Sequence, residues 1–150
     1  MSKDELLRLD NQLCFAVYAC SKEIIRLYRP LLDALGITYT QYLVLLVLWE
    51  TTPITFKELS QRLYLDSGTL TPVLKKMEKN NLLLRQRMLE DERQVIVALT
   101  DKGKALKQDA YSIPQQMMCS SPLNPTEAIA LRDTIHNLLK QLPKGEGENI

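Results

Sequence analysis

Apolar positions recur three and four residues apart over most of this chain, and in two short stretches the pattern gives way to β-branched runs. The first spacing marks amphipathic helices and the second marks strands. Leu6, Leu9, Leu13, Val17, Ile24 and Tyr28, continued by Leu31, Leu32 and Leu35 up to Gly36, predict a long first helix. Ser2-x-x-Glu5 opens it, Pro30 is expected to kink it, and a restart at an Asp10 cap puts Cys14 in a first turn. Tyr39 to Glu50, opened by Thr38-x-x-Gln41, is apolar on most sides, which predicts a buried helix at the centre of the domain.

Thr55-x-x-Glu58 opens a short helix, Phe56 to Leu63, and Leu65 to Gly68 reads as a turn. A further helix is expected from Leu70 to Asn80, capped at Thr69 or Thr71 so that Pro72 falls in its first turn. Leu82 to Arg87 and Gln94 to Leu99 predict a β-hairpin with Glu90-Asp91-Glu92-Arg93 at its tip. Thr100 and Asp101 open a helix expected to run through Leu106, Ala110, Ile113 and Met117, ending near Cys119-Ser120-Ser121-Pro122. Asn124-x-x-Glu127 with Pro125 opens the last helix, whose Ala128, Leu131, Ile135, Leu138 and Leu142 form a stripe that needs a partner surface. Lys144 to Ile150 reads as a charged, Gly-rich flexible tail.

Composition narrows the class. A chain of 150 residues, 45% hydrophobic and 25% charged, is expected to fold as one globular domain. Its net charge of +1 means that any basic surface must be local. Three scattered cysteines argue against a secreted disulfide framework and a structural zinc site. The longest apolar run, Tyr42 to Trp49, is too short to span a bilayer, and Lys3, Asp4 and Glu5 do not suit a signal peptide, so no membrane partner and a cytoplasmic location are expected. No phosphate loop, nucleophile elbow or paired metal motif occurs and His136 stands alone, so neither a cofactor nor an enzymatic activity is expected.

Two helices, a tight turn and a two-stranded wing are the parts of a winged helix-turn-helix. The fold class expected is mainly α with a small β-hairpin. Ser67, Thr69 and Thr71 stand at the front of the second helix, Lys75 and Lys76 follow on it, and Arg85, Arg87 and Arg93 lie on the wing. Hydroxyls and cations so placed suit phosphates and base edges, and a tip arginine suits a minor groove. The same lysines also fit a plain solvated face, since Lys57 to Arg93 holds eight Lys or Arg against six Asp or Glu.

Cys14 has Tyr18 one helical turn away on the same side, which fits either a sensing thiol or simple packing; Cys20, beside Val17 and Ile24, reads as packing. A reactive thiol needs hydrogen-bond donors or positive potential, and no Lys or Arg lies within a turn of Cys14. That leaves phenols and the helix N-terminus.

Asp66-Ser67-Gly68-Thr69-Leu70-Thr71-Pro72-Val73-Leu74-Lys75-Lys76-Met77-Glu78, Asp91-Glu92-Arg93 and Leu99-Thr100-Asp101-Lys102-Gly103 together resemble the MarR family of dimeric regulators. With Leu13-Cys14-Phe15 and Tyr18 upstream, the chain resembles the OhrR branch, the organic-hydroperoxide-sensing repressors, from about Asn11 to Leu142. The resemblance implies a homodimer that binds a palindromic double-stranded DNA operator and leaves it when Cys14 is oxidised, assisted by tyrosines matching Tyr18 and Tyr28. It also implies, from members with a second cysteine, an intersubunit disulfide between Cys14 and Cys119. Residues 38–100 then form the winged helix-turn-helix, residues 3–35 and 100–142 the dimerisation element, and residues 144–150 the tail of one domain spanning 1–150.

Cys14 and Tyr28, fourteen residues apart, stand about 21 Å apart on a straight helix, so a site using both is shared between two chains. A MarR-like regulator released by a small aromatic ligand, with Cys14 inert, is the alternative, and a thiol peroxidase is disfavoured because no fixed cation attends the thiol.

Overall fold

The computed structural model describes residues 1–91 and 93–144; the rest of the expected tail lies outside the described residues. The expected long first helix is two helices. α1 (Lys3–Leu6) has the Ser2 capping box, and a 3-10 turn over Leu9–Asn11 follows before α2 (Leu13–Asp33) begins. Side-chain amides make the break: Asn11 Nδ2 donates to the Glu5 carbonyl at 2.7 Å, and Gln12 Nε2 donates to Leu6 and Arg8 carbonyls at 2.7 and 2.9 Å. Local amide bonds of this kind compete with helical ones. The restart is therefore capped at Gln12 and not at Asp10, which sits in the 3-10 turn.

α2 continues through Pro30 to Asp33. Gly36 ends it at φ 70°, with Ile37 N–H donating to the Leu32 carbonyl and Gly36 N–H to that of Asp33. This is a Schellman closure, which needs the left-handed residue.

α3 (Tyr39–Glu50) is the centre, as its apolar circumference requires. Tyr42, Val44, Leu45, Val47 and Leu48 are buried in it. Gln41 is buried and polar, and its side-chain oxygen and backbone N–H are both taken up by the capping box with Thr38. Around α3 pack Leu59 of α4 (Phe56–Leu63), Leu70, Leu74 and Met77 of α5 (Ser67–Lys79), and Leu83, Val97 and Leu99 of the sheet.

That sheet has three strands. β1 (Ile54–Thr55), unseen in the sequence, pairs antiparallel with β3 (Val95–Leu99), which also pairs with β2 (Leu83–Arg87), giving the order β1-β3-β2. Register runs from Leu83 opposite Leu99 to Arg87 opposite Val95. The β1 strand ends after two residues because Thr55 turns to cap α4, accepting from Glu58 N–H at 3.1 Å.

α5 starts earlier than expected. Asp66 is its cap, accepting from Thr69 N–H at 2.8 Å, so Ser67 and Gly68 are helical and Pro72 lies in the second turn. The Gly68 carbonyl thereby lacks its helical donor, at a position open to solvent. The helix after Thr100 is also two helices, α6 (Asp101–Ala110) and α7 (Ser112–Ser120). Pro114 has no N–H for the Ala110 carbonyl and clashes with it in a continuous helix, so the chain breaks at Tyr111. α8 (Pro125–Gln141) has the Asn124 capping box and buries no residue within the chain.

Gly103 joins α6 to the core. Its carbonyl accepts from Trp49 Nε1–H at 2.9 Å, and a Cβ there falls 2.1 Å from the Leu82 carbonyl oxygen. Among the described residues no helix is long and apolar enough to cross a membrane.

Candidate functional site

Two groups of side chains carry the candidate chemistry. The first is built on α5 and the wing. Because Leu70, Leu74 and Met77 turn into the core, Ser67, Thr69, Lys75 and Lys76 are left exposed, with Thr71 half-buried. At the wing tip Asp91 makes a local turn, accepting from Arg93 N–H at 3.0 Å through its side chain and from Gln94 N–H at 3.0 Å through its carbonyl. Arg93 and Arg87 are exposed.

Arg85, by contrast, is half-buried. Its backbone N–H donates to Glu78 Oε2 at 2.9 Å and its guanidinium to Glu78 Oε1 at 3.2 Å. Hydrogen bonds from Arg85 hold the Glu78 carboxyl below the ordinary carboxylate value. Arg85, expected among the DNA-facing cations, turns its guanidinium toward α5, the reading helix of this fold. Glu78 had no sequence signal, since the pair forms only once β2 folds back along α5.

The second group is the thiol region. Cys14, Cys20 and Cys119 are all free and exposed. Cys14 is the second residue of α2, at the positive end of that helix, and Tyr18 one turn on is 64% exposed. Cys20 does not pack as expected, because Val17 and Ile24, the stripe it was to join, are themselves exposed in the single chain. An open groove of about 400 Å³ continues beyond Tyr18 along α2, past Lys22, Ile25, Arg26 and Arg29. Cys119 stands near the end of α7.

Tyr28 belongs elsewhere. α2 is unbroken from Leu13 to Asp33, so Cys14 and Tyr28 stand about 21 Å apart in one chain. Tyr28 packs on Tyr39 with ring centroids 5.0 Å apart and on Tyr42 at 5.9 Å, and Tyr42 packs on Trp49 at 6.5 Å. Burial pushes all three phenols up, with Tyr28 adding to the effect on Tyr39 and Tyr42. They therefore remain O–H donors through the neutral range. Tyr39 was missed in the sequence; its only signal there was its place opening the central helix.

An exposed hydroxyl-and-lysine helix joined to a wing defines a winged helix-turn-helix protein. The family described as "Transcriptional regulator SarA/Rot" matches residues 26–110. The chain is 46% identical over 141 residues to the "Organic hydroperoxide resistance transcriptional regulator" of Bacillus subtilis (strain 168), covering 94% of this chain and 96% of that one. It is also similar to AbfR, known from Staphylococcus epidermidis. The overoxidised AbfR bound to DNA aligns with a TM-score of 0.77 at 38% identity, over 95% of this chain and 100% of that one. The disulfide-formed AbfR aligns at 0.63 with 40% identity, over 91% and 96%. This chain belongs to the MarR-type transcriptional regulators of the SarA/Rot family, in the branch of the organic hydroperoxide resistance regulators.

Proposed function

We propose that this protein is a dimeric DNA-binding repressor that senses organic hydroperoxides at Cys14 and then releases a palindromic operator. The carrying observation is an exposed thiol in the first turn of α2, in the same chain as an exposed reading helix. Ser67, Thr69, Thr71, Lys75 and Lys76 meet the major groove, Arg93 enters the minor groove, and Arg87 meets the backbone.

The Cys14 thiolate attacks the distal peroxide oxygen. The O–O bond breaks, sulfur gains oxygen as sulfenic acid, and the peroxide leaves as its alcohol after taking up a proton. The thiol of Cys119 of the partner subunit then attacks the sulfenic sulfur, forming the disulfide and releasing water. Tyr18 is in reach from the same helix, while Tyr28 of the partner subunit completes the site, accompanied by Tyr39 of the partner subunit. This chemistry is stoichiometric and not catalytic turnover, and its setting is the cytoplasm.

An overoxidised AbfR is bound to DNA, which supports the cross-link, and not the oxidised sulfur alone, as the releasing event here. A disulfide requires Cα atoms within about 7 Å, so closing it draws α2 of one protomer toward α7 of the other and alters the spacing of the reading helices.

A non-reducing gel after treatment with cumene hydroperoxide tests the pairing. Wild type should run as a covalent dimer, and Cys14→Ser and Cys119→Ser as single chains. A covalent dimer that persists in Cys119→Ser transfers the resolving role to another thiol.

A further inference from the structure

The wing is carried on an edge strand. β2 lies outermost in the order β1-β3-β2, so the Arg85 N–H that faces away from β3 needs an acceptor from outside the sheet. Glu78, in the last turn of α5, supplies it with one carboxylate oxygen and holds the Arg85 guanidinium with the other, at 2.9 and 3.2 Å. The pair is partly withdrawn from solvent, with side chains 25% and 35% exposed for Arg85 and Glu78. Among the described residues Arg85 Nε is shut from solvent and has no hydrogen-bond partner, so the contact to Glu78 is made at the outer end of the guanidinium. A cavity of about 230 Å³ lined by Glu78, Arg85, Gln86, Arg87 and Val95 lies beside it.

We infer that Glu78 is a positioning residue for operator binding: by clasping β2 through Arg85 it fixes the wing relative to the reading helix. The inference rests on the DNA-binding reading above. The tip begins about five residues beyond Arg85, a lever of about 16 Å at strand rise. A rotation of about 10° at the clasp carries the tip through about 3 Å, enough to break a hydrogen bond to DNA. Removing Glu78 takes away two acceptors at once and leaves room in the cavity for the guanidinium to move.

The sign of the effect separates positioning from simple electrostatics. Glu78 is an anion beside a DNA-facing surface, so its loss should tighten binding if only through-space charge mattered. A positioning role predicts the reverse.

The test measures affinity of the full-length protein over a range of salt for a duplex selected by the wild-type protein from a randomised library. Glu78→Ala should weaken binding about tenfold or more and flatten the salt slope by about one unit, because the displaced tip takes Arg93 off the DNA. Glu78→Asp keeps the charge but shortens the reach, so it should also weaken binding, and it serves if the alanine variant does not fold. Glu78→Gln keeps an acceptor oxygen and should recover most of the affinity. Arg93→Ala should weaken wild-type binding and flatten its salt slope by about one unit, yet do little in the Glu78→Asp background, where the tip is already displaced.

Binding by Glu78→Ala or Glu78→Asp as tight as wild type, or full additivity with Arg93→Ala, overturns the inference alone. If Arg93→Ala is silent in the wild-type background, the Arg93 contact of the proposed function falls and takes this inference with it, while the reading helix and the thiol are untouched.

Discussion

Gly103→Ala should lower the melting temperature by about 10 °C and disturb the fluorescence of Trp49, the only tryptophan in the chain. The expected sign is opposite to that of an ordinary helical position, where replacing Gly by Ala gains about 1 kcal/mol. Here the added Cβ meets the Leu82 carbonyl oxygen at 2.1 Å and Leu99 Cδ2 at 3.0 Å. Backbone cannot swing aside as a side-chain tip can, so α6 must move away from the end of the reading helix. Such overpacking costs about 1–3 kcal/mol, and more where backbone is displaced. The shift also stretches the Trp49 Nε1–H bond to the Gly103 carbonyl, which supplies the optical signal. An unchanged or raised melting temperature would show that α6 has slack at this contact.

The second large effect concerns the proposed dimer. α8 buries nothing inside the chain, and Leu131, Ile135, Leu138 and Leu142 remain exposed along one stripe. Exposed apolar residues on α1, the 3-10 turn and α2, among them Leu6, Leu9, Leu13 and Phe15, offer a complementary surface at the other end of the sequence. Replacing Ile135 and Leu138 together by Lys keeps strong helix formers in place while setting charge against charge across a twofold interface. The double variant should sediment as a monomer and lose operator affinity by about a hundredfold, because each chain then holds one half-site alone. A variant that remains dimeric would place the interface elsewhere.

Several features were legible in sequence because short-range chemistry sets them. The capping boxes at Ser2, Thr38 and Asn124 form as their spacing implies, since cap and third residue are neighbours whatever the rest of the chain does. The all-round apolar Tyr39–Glu50 segment had to be central, and the two strands of the hairpin were readable from their β-branched and alternating runs. What was hidden depended on contacts between segments or on competing local bonds. β1 is two residues long and owes its existence to β3. The break before α2 depends on Asn11 and Gln12 amides capturing carbonyls six residues back, a choice that periodicity cannot register. Pro114 was overlooked as the cause of the break at Tyr111, although its missing N–H was in plain view.

The site divides in the same way. Cys14 and its helical neighbour Tyr18 could be paired by spacing alone, and the helical rise kept Tyr28 away from Cys14 within one chain. Its packing on Tyr39 and Tyr42 was hidden, because α2 and α3 meet only in the fold. Arg85 looked like any other cation of the wing until β2 folded against α5 and gave it the Glu78 carboxylate. Charge patterns along a chain identify cations; only the fold says which of them have already found an anion.

The central claim is that DNA release begins with oxidation of Cys14 and is completed by its cross-link to Cys119 of the partner subunit. It is tested most directly by following the anisotropy of a labelled operator duplex, selected by the wild-type protein, during titration with cumene hydroperoxide and then with dithiothreitol. Wild type should release the duplex and rebind it on reduction, while Cys14→Ser should bind it equally well at the start and hold it throughout. Release by Cys14→Ser at the same peroxide concentration as wild type would contradict the account.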